Sequence, residues 1–116
     1  DVSGSMGTEA MLKTETGENT GHGLSVLDIV KHSLKTIIMN LTDGDRLAVV
    51  AYSNNAETVV GLTAMDGSGR TASQLGVDSL QPSGMTNLWD GLKTGVELLK
   101  AGSAPGRLQH IMLFTE

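Results

Sequence analysis

Apolar residues at Leu27, Val30, Leu34, Ile37, Ile38 and Leu41 recur at steps of three and four, the spacing of one helical face, and predict a helix over 25–40. Ser25 with Asp28 three residues on resembles a capping box, with Asp in place of the usual Glu, and sets its start. After the turn signal Asp43-Gly44-Asp45, the bounded run Leu47-Ala48-Val49-Val50-Ala51-Tyr52 predicts a buried strand. Asn54-Asn55 tolerates positive φ and Glu57-Thr58-Val59-Val60 is again β-prone, so the two runs read as a hairpin. Gly67, Ser68 and Gly69 break the chain before a weakly patterned helix over 70–80, interrupted by Gly76. Leu88, Leu92, Val96 and Leu99 mark another helical face, closed by Gly102 and Pro105, with Thr86 or Asn87 at its start as an N-cap. Residues 110–114 read as a last strand. The stretch 7–23, rich in Thr, Gly and Glu without a sustained period, reads as a mobile loop.

Helices alternating with buried apolar strands indicate an α/β sheet covered on both faces. In such sheets ligands sit beyond the carboxyl ends of the strands. Three segments are expected to end there: the amino-terminal loop, the loop ending at Thr86, and Thr115-Glu116. The 116 residues suit one domain. The chain opens without Met and stops just after an apolar strand pattern, so it reads as a cut piece of that domain. A net charge of -5 with eight Lys and Arg disfavours a phosphate-neutralising surface for nucleic acid. The absence of Cys excludes disulfides and thiolate chemistry and fits a reducing compartment, while targeting stays undetermined by the sequence. The longest apolar run, 47–52, is too short to cross a bilayer.

The chemistry is concentrated in Asp1-Val2-Ser3-Gly4-Ser5. In an extended loop, side-chain direction repeats every second residue, so one carboxylate and two hydroxyls point the same way. Three hard oxygen donors suit Mg²⁺, or Mn²⁺ or Ca²⁺ in its place. The competing reading is a polar turn, since turns use Asp, Ser and Gly in any case. Glu9, Glu15, Glu18 and His22 could approach a metal, but a solvated acidic insertion accounts for them more simply. His32 lies off the apolar stripe and reads as a surface histidine.

Asp1-Val2-Ser3-Gly4-Ser5-Met6, then Gly84-Met85-Thr86-Asn87-Leu88 and Ile111-Met112-Leu113-Phe114-Thr115, together resemble the von Willebrand factor type A domain family. Gly44-Asp45-Arg46-Leu47-Ala48-Val49-Val50-Ala51-Tyr52 is similar to that family's second strand. The resemblance implies a doubly wound, Rossmann-like, mostly parallel sheet with a metal-ion-dependent adhesion site at its top. It implies that Asp1, Ser3 and Ser5 form the first metal loop and that Thr86 forms the second. Glu116 stands where the family normally has Asp, and its extra methylene puts the site's strength in doubt. The resemblance also implies that the first central strand precedes Asp1 and further strands follow Glu116. A chain lacking them is expected to be poorly stable. By impression the similarity is greatest to intracellular fungal and plant members found beside ubiquitin-ligase modules.

Three functions follow from these residues. The first is a metal-dependent protein-binding module in which an acidic residue of a partner protein completes the coordination of Mg²⁺. The second is a domain of the same fold with a degenerate metal site, motivated by Glu116. The third is an enzyme, and its motifs fail: the aspartate-nucleophile phosphatase pattern needs a second Asp where Ser3 stands, and the Gly-x-Ser-x-Gly elbow needs Gly there. The expectation is therefore binding without catalysis.

Overall fold

The computed structural model of the chain describes residues 1–13 and 19–115. A 3-10 turn, Gly4–Gly7, leads into an antiparallel pair, β1 (Glu9–Lys13) and β2 (Asn19–Ser25). Helix α1 (Val26–Asn40) follows, then a second antiparallel pair, β3 (Arg46–Tyr52) and β4 (Ala56–Ala64), and helices α2 (Gly67–Asp78) and α3 (Leu88–Ala101). The architecture is α/β.

Helix α1 begins as its sequence requires. The Asp28 amide donates to Ser25 Oγ at 3.0 Å and the Ser25 amide donates to Asp28 Oδ2 at 2.9 Å, a complete capping box. Its apolar stripe then spans two cores. Ile38 joins Val49, Val60, Met65 and Val77, while Leu27 joins Met6, Ala51 and Leu80; Leu34, Leu41 and Val30 pack alongside. Each large side chain buried this way contributes about 1.5–3 kcal/mol.

Helix α2 starts at Gly67, three residues earlier than its weak pattern predicts, because Asp66 Oδ1 accepts from the Gly69 amide at 2.8 Å and caps it. Gly76, which argued against this helix, is what lets it dock. A Cβ at 76 would stand 2.7 Å from Val60 Cγ2, and one at 69 only 1.8 Å from the Ala64 carbonyl oxygen. The helix backbone therefore lies directly on β4.

Helix α3 covers the opposite side of the β3–β4 pair and meets it differently. A Cβ at Gly91 would fall 2.4 Å from Tyr52 Cδ1, so the helix approaches through a glycine. The face turned inward runs through Gly91, Leu92, Gly95, Leu98 and Leu99, which line an apolar cavity of about 190 Å³ together with β3 and residues 110–114. Leu88, expected on that face, is 39% exposed at the first helical position.

Three expectations need correction. Residues 7–23 are not simply a loop, since β1 pairs with β2 from Glu9↔Ser25 to Lys13↔Asn19; backbone hydrogen bonds hold this ribbon, and its side chains carry no alternation to announce it. Residues 110–114 form no strand, because Phe114 alone among them takes part in backbone pairing, its carbonyl accepting from the Asp1 nitrogen at 3.0 Å. The β3–β4 turn uses no positive φ at Asn54 or Asn55; among the described residues only glycines adopt it. The two strand pairs among the described residues, β1–β2 and β3–β4, are antiparallel. Residues 1 and 2 nevertheless sit between the end of β3 and Phe114, with the Val2 amide donating to the Tyr52 carbonyl at 2.9 Å.

Candidate metal centre

That placement puts Asp1 at one end of the sheet. The chain then turns on itself: Asp1 Oδ1 accepts from the Ser3 amide at 2.9 Å and from Ser3 Oγ at 2.6 Å, and Ser3 Oγ lies 3.3 Å from Ser5 Oγ. The three side chains converge as expected, but by a different geometry. An Asp-capped turn followed by the 3-10 turn gathers them, with the Met6 amide on the Ser3 carbonyl at 3.0 Å, rather than the alternation of an extended loop. Met6 is fully buried in the core beside Leu27 and Leu80, and it fixes the loop from below. Ser3 is 2% exposed, while Ser5 is open to solvent.

The second loop is stitched to the first. The Gly4 amide donates to the Gly84 carbonyl at 2.8 Å and the Ser83 amide to the Val2 carbonyl at 2.7 Å. Gly84 has a φ of 74°, and a Cβ there would press on Asn54 Oδ1 at 2.9 Å, so this position requires glycine. Thr86 follows two residues beyond the Gly84 carbonyl that the Gly4 amide binds; it is exposed, and its hydroxyl is not hydrogen-bonded to Ser3 or Ser5. Asn87 caps α3 by accepting from the Asp90 amide at 3.1 Å, which leaves the Thr86 hydroxyl unused by the helix.

One contributor was expected as part of the tail, and another escaped the sequence reading. Thr115 Oγ1 donates to the other Asp1 oxygen, Oδ2, at 2.7 Å, so the tail does reach the site, through Thr115. Its place at the end of the apolar run and in the family motif was the signal for it. Asn54 holds the second loop: its Oδ1 accepts from the Met85 amide at 2.8 Å and its carbonyl from Asn87 Nδ2 at 3.0 Å. The sequence suggested nothing for it beyond a turn. Glu116, Glu15 and Glu18 lie outside the described residues, as does the side chain of His22. Glu9 accepts from the Gly23 amide at 2.8 Å within its own ribbon.

The donor set fits a small hard cation. Ligands bound to Mg²⁺ at about 2.1 Å stand about 3.0 Å apart along an octahedral edge. The 2.6 Å from Asp1 Oδ1 to Ser3 Oγ and the 3.3 Å from Ser3 Oγ to Ser5 Oγ are hydrogen-bond lengths, so these oxygens are gathered here by bonds among themselves. The cluster is poor in carboxylates, and among the described residues no three His, Asp or Glu side chains gather to hold a metal. Residues 1–8, 53–57 and 81–90, which build this end of the molecule, contain no Lys, Arg or His.

The chain is similar to a protein of Escherichia coli (strain K12) described as uncharacterized protein YfbK, at 28% identity over 90 residues, 78% of this chain and 15% of that protein. A von Willebrand factor type A structure from Catenulispora acidiphila matches 66% of this chain and 19% of its own, with a TM-score of 0.63 and 28% identity. An uncharacterized membrane-spanning protein from Vibrio fischeri matches 91% of this chain and 48% of its own, with a TM-score of 0.67 and 28% identity. The chain thus spans under half the length of each. Among its own described residues no helix is long and apolar enough to cross a membrane. The profile of the von Willebrand factor type A domain matches residues 1–116, and the chain belongs to that family.

Proposed function

We propose that this domain binds proteins through a divalent cation, with Mg²⁺ the best fit to its donors. Domains of this family are generally metal-dependent interaction modules. The observation that carries the reading here is the convergence of Asp1, Ser3 and Ser5, with Thr115 on the far Asp1 oxygen. Asp1, Ser3 and Ser5 would hold the ion directly, Thr86 would contribute from the adjoining loop, and Glu116 stands at the fifth family position. Neutral hydroxyls leave the bound cation with residual positive charge, which attracts a carboxylate from the partner. With no basic side chain in the surrounding loops, the cation is the means by which this end of the molecule holds an acidic residue. Met6 keeps the first loop in place, and Asn54 keeps the second. Because the phosphatase and hydrolase motifs both fail at Ser3, binding rather than turnover is the chemistry proposed for this donor set.

The test is calorimetric titration of the intact protein with Mg²⁺ and Mn²⁺, repeated on Ser3→Ala. The expected result is saturable binding that weakens at least about tenfold in the variant, whose far-UV spectrum stays unchanged. No binding by the unaltered protein would reject the proposal and leave an interaction domain with a degenerate site.

A further inference from the structure

The loop that carries Thr86 has a fixed backbone and an apolar outer surface. Its backbone is held at Gly84, Met85 and Asn87 by Gly4, Asn54 and Ser53, the last through the Asn87 amide on the Ser53 carbonyl at 2.6 Å. The side chains beside Thr86 are nevertheless in solvent: Met85 is 75% exposed, Trp89 71% and Leu88 39%. Trp89 is the chain's single tryptophan. Scattered exposed apolar residues need no explanation, but these are three within five residues, Met85 on the held loop and Leu88 and Trp89 in the first turn of α3, flanking Thr86 of the candidate metal centre. Tryptophan and methionine are enriched at the centres of protein interfaces, and a loop already ordered loses little entropy on binding.

Accepting the metal-dependent reading above, we infer that Met85, Leu88 and Trp89 select partners whose cation-binding Asp or Glu stands next to a bulky apolar residue. The occupant is a segment of a partner protein that is both acidic and apolar. Its carboxylate goes to the cation, since no basic side chain in these loops can take it. Its apolar neighbour covers Trp89 and Met85, the most exposed apolar side chains flanking Thr86. The charge fixes where the segment sits, and the apolar contact decides which segment it is.

The test is selection of random displayed heptapeptides on the intact protein in Mg²⁺, with elution by EDTA. The expected pool pairs Asp or Glu with adjacent Leu, Ile, Met or Phe. A synthetic peptide of that sequence should shift Trp89 fluorescence to the blue and bind about tenfold more weakly to Trp89→Ala, with Mg²⁺ affinity unchanged. Trp89→Phe, which keeps an aromatic surface, should restore most of the loss. EDTA-eluted peptides with a carboxylate but no apolar preference would overturn this inference and leave the metal reading standing. Apolar peptides that EDTA fails to release would overturn both. An empty pool, or self-association abolished by Trp89→Ala, would overturn it in favour of no peptide partner or a second copy of the chain.

Discussion

The core beneath α1 and α2 and the loops around Asp1 are built by different forces. Between the helices and β4, position is set by volume: Ile38, Met65 and Val77 are fully buried, and glycines at 69 and 76 remove the atoms that would hold the layers apart. Around Asp1, position is set by hydrogen bonds between chain segments 50 to 114 residues apart, from Val2 to Tyr52, Gly4 to Gly84 and Asp1 to Thr115. Packing energy is large and insensitive to small angular errors. Hydrogen bonds contribute only about 0.5–1.5 kcal/mol each but are directional. The core therefore supplies stability and the loops supply geometry, and the two should respond separately to substitution.

The largest expected effect separates them cleanly. Ile38→Ala should destabilise the protein by about 2–5 kcal/mol in denaturant titrations, with little change in Mg²⁺ affinity measured where the variant is still folded. A parallel loss of metal affinity in the folded variant would show that the loops depend on core volume after all. Asn54→Ala should do the reverse, costing about 1 kcal/mol of stability while lowering Mg²⁺ affinity by about tenfold or more, because the loop bearing Thr86 loses its support. Equal affinity of Asn54→Ala and the unaltered protein in calorimetry would remove Thr86 from the site.

The smallest effect concerns pH. Asp28, Asp45 and Asp66 are each held below the ordinary value of 3.8, chiefly by backbone amides of Ser25, Thr42 and Gly69 respectively. Their lowered folded-state values mean the unfolded chain binds protons first as pH falls. Their stabilisation is therefore complete above 3.8 and is lost as pH drops through the folded-state values. Thermal midpoints should be insensitive to these groups near neutrality and fall in acid. Asp28→Asn should flatten part of that fall, and an unchanged acid limb would assign it to other carboxylates.

Local signals were legible wherever a few consecutive residues decide the outcome. The capping box of Ser25 and Asp28, the stripe of α1, the run of β3 and the N-cap role of Asn87 all rest on contacts within one turn or one face, which periodicity encodes. The Asp1-Ser3-Ser5 cluster was legible for the same reason, its members being two residues apart. The sequence placed three segments at one end of the sheet but could not show the individual contacts that join them. Thr115 on Asp1, Asn54 under Met85 and the exposed placement of Trp89 each depend on segments remote along the chain. The pairing of β1 with β2 rests on backbone bonds that side-chain patterns do not record, and Gly76, which looks like a helix breaker locally, proves to be the contact that lets α2 reach β4. Composition and spacing determined the three helices, the β3–β4 hairpin and the oxygens of Asp1, Ser3 and Ser5, whereas only the tertiary structure decided how those oxygens are oriented and what surface surrounds them, because long-range hydrogen bonds and close packing are properties of the assembled chain rather than of any stretch of it.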